Sequence, residues 1–119
     1  MSNEMRKSLK ERAKEFDARL PFMDGKNKGE TKELFGQVST INEYGFLPNE
    51  AGEMYAVFTV AERSDKFYFG GTVMTERLFK FEQEGYHDDI VREGLPVLMN
   101  EKKSKANRTY VDVVFFPED

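Results

Sequence analysis

Four cations, Lys102, Lys103, Lys105 and Arg108, fall within seven residues that contain no acid. A Lys/Ser/Asn loop of that kind has the reach and the charge to follow a single-stranded phosphate backbone. Arg63 and Lys66 flank the Ser64-Asp65 turn and offer two more contacts. Aromatic rings are the second resource: the chain has eleven Phe and five Tyr. Every base has a π-face, so a ring held at the surface stacks without regard to sequence, worth ~1–3 kcal/mol per base. Tyr44, Phe46, Tyr55, Tyr68, Phe69 and Tyr110 are the candidates. The competing reading is plain: cations solvate turns and rings fill the core. Phe58, Phe79, Phe81 and Phe115 are expected to do the latter.

Other chemistry is poorly supplied. With no Cys and one His among 119 residues, disulfides, thiolate nucleophiles and multi-histidine or Cys-ligated metal sites are excluded. His87 sits in Gly85-Tyr86-His87-Asp88-Asp89 and reads as a solvated surface residue. A His–Asp relay there lacks a nucleophile. Asp88, Asp89 and Glu93 read as a solvated face rather than a cation site, and no Gly-rich phosphate loop is present. The expectation is no enzyme and no cofactor or metal.

The formal net charge of −4 argues against nucleic acid until the charges are located. Residues 1–32 carry nine basic and six acidic side chains, and residues 33–119 carry nine and sixteen. Within the second part the 102–108 loop is locally basic. Six acids, Glu76, Glu82, Glu84, Asp88, Asp89 and Glu93, lie instead on a helical region. Lys7, Lys10 and Lys14 alternate with Glu11 and Glu15, which suits intrahelical bridging. No run approaches the ~20 apolar residues of a membrane span. The charged first twenty residues lack the apolar core of a signal peptide. A soluble, cytoplasmic chain without membrane contact is expected.

The elements that would position these groups follow from periodicity. Met5, Leu9, Ala13, Phe16 and Leu20 share one helix face, and Pro21 ends that helix. Asp24 to Glu30 has turn formers and charge, so residues 1–32 read as an N-terminal helix and a mobile charged linker. Residues 33–119 then form one domain. Leu34 to Ile41 alternates as a first strand, with Gly36 marking a bend. Residues 42–52 read as a long turn-rich connection carrying Tyr44 and Phe46. Met54 to Arg63 is a strand with Met54, Ala56, Phe58 and Val60 on its apolar face and Tyr55 opposite. In the third strand Phe67, Phe69, Gly71 and Val73 alternate with Tyr68, which puts Tyr68 outward. Phe69 points inward by alternation unless a bend at Gly70-Gly71 turns it out. A helix follows, capped by Thr75 and ended by Gly85, with Leu78, Phe79 and Phe81 as its apolar face. A short turn, Tyr86 to Glu93, is closed by Gly94. Leu95 to Asn100 and Arg108 to Phe116 are the last strands, joined by the basic loop 101–107. This is an all-β chain with a helical insert between strands 3 and 4. It is the layout of the five-stranded OB-fold Greek-key barrel, which binds its ligand across strands 2 and 3 and the loops joining strands 1–2 and 4–5.

Several short pieces resemble bacterial and phage single-stranded DNA-binding proteins. Gly36-Gln37-Val38 matches the family's first-strand Gly-x-Val/Leu. Phe69-Gly70 matches its aromatic-glycine pair at the end of strand 3, where the aromatic stacks on a base. Gly94-Leu95-Pro96-Val97 resembles the entry to strand 4, and Arg108-Thr109-Tyr110-Val111-Asp112-Val113 the last barrel strand. The resemblance covers about residues 33–116. Size and N-terminal extension are similar to phage-encoded members, such as those of lactococcal phages. The resemblance implies sequence-tolerant binding of single-stranded DNA in replication and recombination. It implies a homo-oligomer, tetramer or dimer, with recombination or replication proteins as partners, in the host cytoplasm. Two features depart from the family. The chain ends Phe115-Phe116-Pro117-Glu118-Asp119, without a linker and apolar tip, and it has no Trp. The competing class is an OB-like adaptor that binds a protein through its acidic helical face or N-terminal helix.

Overall fold

Antiparallel pairing makes neighbouring residues share a face, so one well-anchored strand fixes the direction of its neighbours. That strand is β3 (Met54–Val60), whose Ala56, Phe58 and Val60 are buried in the main core. A computed structural model describes residues 20–117. The other elements are β1 (Asn27–Lys28), β2 (Val38–Pro48), β4 (Lys66–Phe69), α1 (Thr72–Gln83), α2 (His87–Glu93), β5 (Leu95–Lys103) and β6 (Thr109–Phe115). The fold is mostly β: six strands form one sheet in the order β1-β4-β3-β2-β5-β6. β1 pairs parallel to β4, and every other pair is antiparallel. The order β5-β2-β3-β4 is a Greek key, in which the fourth strand returns beside the first.

The sheet has six strands rather than the expected five. The extra one, β1, lies in the stretch expected to be a mobile linker. Asn27 donates its N–H to the Asp65 carbonyl and Gly29 donates to that of Phe67, at 2.9 and 2.8 Å. Two polar residues carry no strand periodicity, so only tertiary pairing reveals them. The helix read over residues 4–20 lies almost wholly outside the described residues.

The largest correction concerns β2. The first strand was expected to end at Ile41, with Tyr44 and Phe46 on a loop. Instead β2 runs on to Pro48, and the connection shrinks to residues 49–53. The register shifts between Ile41 and Glu43, so Asn42 is the extra residue of a bulge. A bulge inverts the alternation. Ser39 and Ile41 point inward before it, and Tyr44 and Phe46 after it. The strand therefore begins later than Leu34, which is buried at the end of a short 3-10 turn, Thr31–Leu34.

α1 and α2 fill the gap between β4 and β5. Met74 and Leu78 of α1 and Ile90 of α2 reach the main core. α1 starts after Gly71 rather than at Thr75. The Thr75 hydroxyl instead accepts the Ala56 N–H at 2.9 Å, tying the helix to β3. Phe79, expected in the core, is 46% exposed, and its ring meets Phe46 edge-on at the border of the core. Both expected glycine stops hold. Gly85 and Gly94 have φ +83°, and a Cβ on Gly94 would sit 2.6 Å from the Thr40 Cγ2. With ψ 152°, Gly94 occupies backbone space that is essentially glycine's alone. Gly94→Ala is expected to cost about 2 kcal/mol or more in urea denaturation, from backbone strain and overpacking together. An unchanged midpoint would contradict that geometry.

Two apolar clusters lie on opposite faces of the sheet. The main core contains Leu34, Ile41, Tyr44, Phe58, Tyr68, Leu78, Met99 and Val113, among others. The second lies outside it, where Met23 packs on Val57 and Phe67, flanked by Leu20, Phe22, Leu47, Tyr55 and Phe69.

Candidate nucleic-acid interface

Register sorts the expected stacking residues. Tyr44 pairs with Phe58, and Phe58 with Tyr68, so these three form an inward row. Tyr44 is 3% exposed and Tyr68 is fully buried, stacked on Phe58 at 5.7 Å. Neither ring is offered to a base, which corrects the outward assignment of Tyr68 and the loop assignment of Tyr44. Phe46 is also inward, half-buried against Tyr44 and Phe79. The adjacent row, Gly45, Val57 and Phe69, points outward, as does the pair Leu47 and Tyr55.

Tyr55 and Phe69 are thus brought together on the outer face of β3 and β4. Their rings meet edge-to-face at 5.3 Å, and both stay partly exposed. The Lys28 ammonium lies 4.7 Å from the centroid of Phe69, a cation–π contact supplied by β1. Thr31 fixes this edge by donating its hydroxyl to the Phe69 carbonyl at 3.0 Å. An aromatic pair with an adjoining cation can hold a base and its phosphate. Lys28 is missing from the sequence reading because nothing local shows that β1 pairs with β4.

The cations divide into two groups. Lys66 is half-buried and bonded to both carboxylate oxygens of Glu33, at 3.0 and 3.1 Å. That hydrogen bond raises the Lys66 pKa and lowers that of Glu33. Arg63 is exposed in the β3–β4 turn. The other group occupies the β5–β6 hairpin. The ladder continues to Lys103↔Thr109, so Lys102 and Lys103 stand on β5 and the turn is only residues 104–108. Asn107 adopts φ 62°, and the Ser104 hydroxyl accepts the Arg108 N–H at 3.3 Å. Lys102 lies opposite Tyr110, which is 39% exposed, and pairs with Asp112 at 3.0 Å. Among the described residues, Lys103, Lys105 and Arg108 enter no ion pair. The hairpin and the Tyr55–Phe69 pair stand on either side of β2 in one sheet.

His87 is not the solvated residue expected. Its Nε2 lies 2.7 Å from the Glu43 carboxylate, and its ring meets Tyr44 edge-on at 4.8 Å. The Tyr44 hydroxyl donates to Glu82 at 2.7 Å. Burial first and then the Glu82 bond hold the Tyr44 phenol in its neutral form well above its ordinary pKa. For His87, partial burial lowers the pKa, but the bond and charge of Glu43, the charge of Glu82 and the Tyr44 backbone together outweigh it. The folded pKa therefore exceeds the unfolded one. Its stabilisation is complete below the unfolded value, about 6.5, and is lost as pH rises through the folded value. The urea midpoint of the native chain should exceed that of His87→Gln most at low pH, with the gap closing above neutrality. A gap independent of pH would rule out this linkage.

Among the described residues, no group of three or more His, Asp or Glu is placed to hold a metal ion. No helix there is long and apolar enough to cross a membrane. Compared with known proteins, the chain matches no family model, no curated protein and no solved structure.

Proposed function

We propose that the chain is an OB-fold protein that binds single-stranded DNA with little sequence preference. The OB reading takes β2, β3, β4, β5 and β6 as its five strands and α1 as the insert between the third and fourth. Their Greek-key order and the helical insert support it. The observation that carries the function is the outward Tyr55–Phe69 pair with Lys28 beside it. It stands on β3 and β4, the pair of strands on which an OB fold receives its ligand. The hairpin cations Lys103, Lys105 and Arg108 supply phosphate contacts on the other side of β2, and Tyr110 a further ring. Binding needs no cofactor and no catalytic group. Homo-oligomers would add avidity to a modestly charged site, and replication or recombination proteins would be its partners.

Titration of labelled oligo-dT and of duplex DNA at several salt concentrations tests this. The expected result is preference for the single strand, quenched Tyr fluorescence, and log K falling by roughly 0.7 per phosphate contacted for each unit of log salt. No binding to any single strand near about 50 mM salt would end the proposal.

The adaptor reading retains one favouring observation. A cavity of about 400 Å³ beside α2 is lined by Phe81, Tyr86, Asp89, Ile90, Leu95 and Phe116. Tyr86 and Phe116 are both about half exposed there. A chain that ignores oligo-dT would direct attention to this acid-edged groove.

A further inference from the structure

The outward face of β2, β3 and β4 is unusual for a sheet whose other face already packs on a core. Such a face normally carries polar side chains. Here it carries Leu47, Tyr55, Val57, Phe67 and Phe69. An apolar patch of that kind requires a cover or a partner. The chain covers it itself. Leu20, Phe22 and Met23 lie across the patch, leaving Val57 fully buried and Phe67 5% exposed. Gly45 is part of the fit: a Cβ there would lie 2.7 Å from the Leu20 Cδ1 and 3.3 Å from the Phe22 Cε1.

The covering segment has two parts joined by a pivot. Residues 27–29 are held to β4 by the parallel ladder, and the Lys26 ammonium bonds the Ser64 carbonyl. The preceding turn closes on itself: Met23 donates to the Leu20 carbonyl, Asp24 to Pro21 and Lys26 to Met23. Inside that turn, spanned by the Lys26–Met23 bond, sits Gly25, at φ +76° with open space around it. Rotation there would break the single Lys26–Met23 bond and swing Leu20–Met23 off the face without unpairing β1 from β4.

We infer that Leu20–Met23 is a self-inhibitory strap that competes with bases for the aromatic face of β3 and β4. The inference rests on the single-strand reading above and adds its regulation. Phe22 and Leu20 occupy apolar surface beside Tyr55 and Phe69, and the flat face of a base is a chemical substitute for them. A strand entering the site displaces the strap, and bases cover the patch in its place. The strap thereby lowers apparent affinity by the fraction of molecules in which it is closed.

The test compares the full chain with Leu20→Ser/Phe22→Ser, using oligo-dT of about twenty nucleotides, longer than the ~4–16 nucleotides one OB fold covers. An open state populated at ~10% or less implies a gain of about tenfold or more on release. Thermal melting of the double variant verifies that its main core persists. Amide exchange of the unmutated chain gives a second readout, independent of that variant's folding. Added oligo-dT should accelerate exchange of the Met23 and Lys26 amides. Unchanged or weaker affinity in a folded variant, or protection of those amides by oligo-dT, overturns the strap while leaving single-strand binding intact. Binding by the variant alone supports it in its strongest form. Absence of binding by both chains overturns the functional reading, and the strap's role with it.

Discussion

Replacing Lys103, Lys105 and Arg108 together with Ala should lower the salt slope of oligo-dT binding by about 2, at roughly 0.7 per lost phosphate contact. Between about 50 and 200 mM salt, the native chain would then lose about twentyfold more affinity than the variant. These three cations are chosen because, among the described residues, they enter no ion pair. Lys102 and Lys66 already face Asp112 and Glu33 at 3.0 Å. An ammonium held by a carboxylate displaces fewer counterions when a phosphate arrives, so Lys102→Ala alone should change the slope little. All three side chains are exposed, so the triple variant should fold with stability within about 0.5 kcal/mol of the native chain. Retention of the native slope would remove the hairpin from the binding path. The net charge of −4 does not oppose this result. Much of the acid lies on α1 and α2, and Asp112 neutralises one hairpin lysine rather than the whole group.

How far the sequence disclosed this arrangement depends on whether each signal is local. The inner face of β3, the glycine stops at Gly85 and Gly94 and the Val111–Val113–Phe115 face of β6 are set by alternation and by positive φ. Both can be read from a few adjacent residues. β2 escapes a local reading because the bulge at Asn42 reverses the alternation halfway along, and two half-patterns of opposite phase resemble a strand followed by a loop. The direction of Tyr68 is hidden because the four residues of β4 present aromatic side chains at Phe67, Tyr68 and Phe69 alike. No period is visible in such a run. Only the pairing with Phe58 decides which ring goes inward. The second apolar cluster depended on contacts between Met23, Val57 and Phe67, residues far apart in sequence. A local signal did exist there. The apolar run Leu20-Pro21-Phe22-Met23 continues past the proline that ends the predicted helix, and a mobile linker has no use for buried methionine.

That register makes adjacent aromatic residues behave oppositely. Tyr68→Ala should cost about 3–5 kcal/mol, since it removes a fully buried ring from the main core. Against a total of ~5–15 kcal/mol, this removes between about a fifth and all of the folding stability. Tyr68→Phe should be nearly silent, because the hydroxyl reaches Glu33 only at 3.5 Å. Phe69→Ala should leave the main core standing, since its ring belongs to the outer cluster. Its loss should instead appear in binding, as ~1–3 kcal/mol of stacking, about five- to 150-fold in affinity for oligo-dT. Urea denaturation and the same titration on three variants separate the two roles. Tyr68→Ala that keeps its stability yet fails to bind, beside Phe69→Ala that binds normally while losing about 3–5 kcal/mol of stability, would require the opposite register. Both would also place the ligand face on the other side of the sheet. If all three variants bind like the native chain while folded, base stacking does not occur on β4. The site would then have to lie with Tyr110 and the hairpin cations, on the far side of β2.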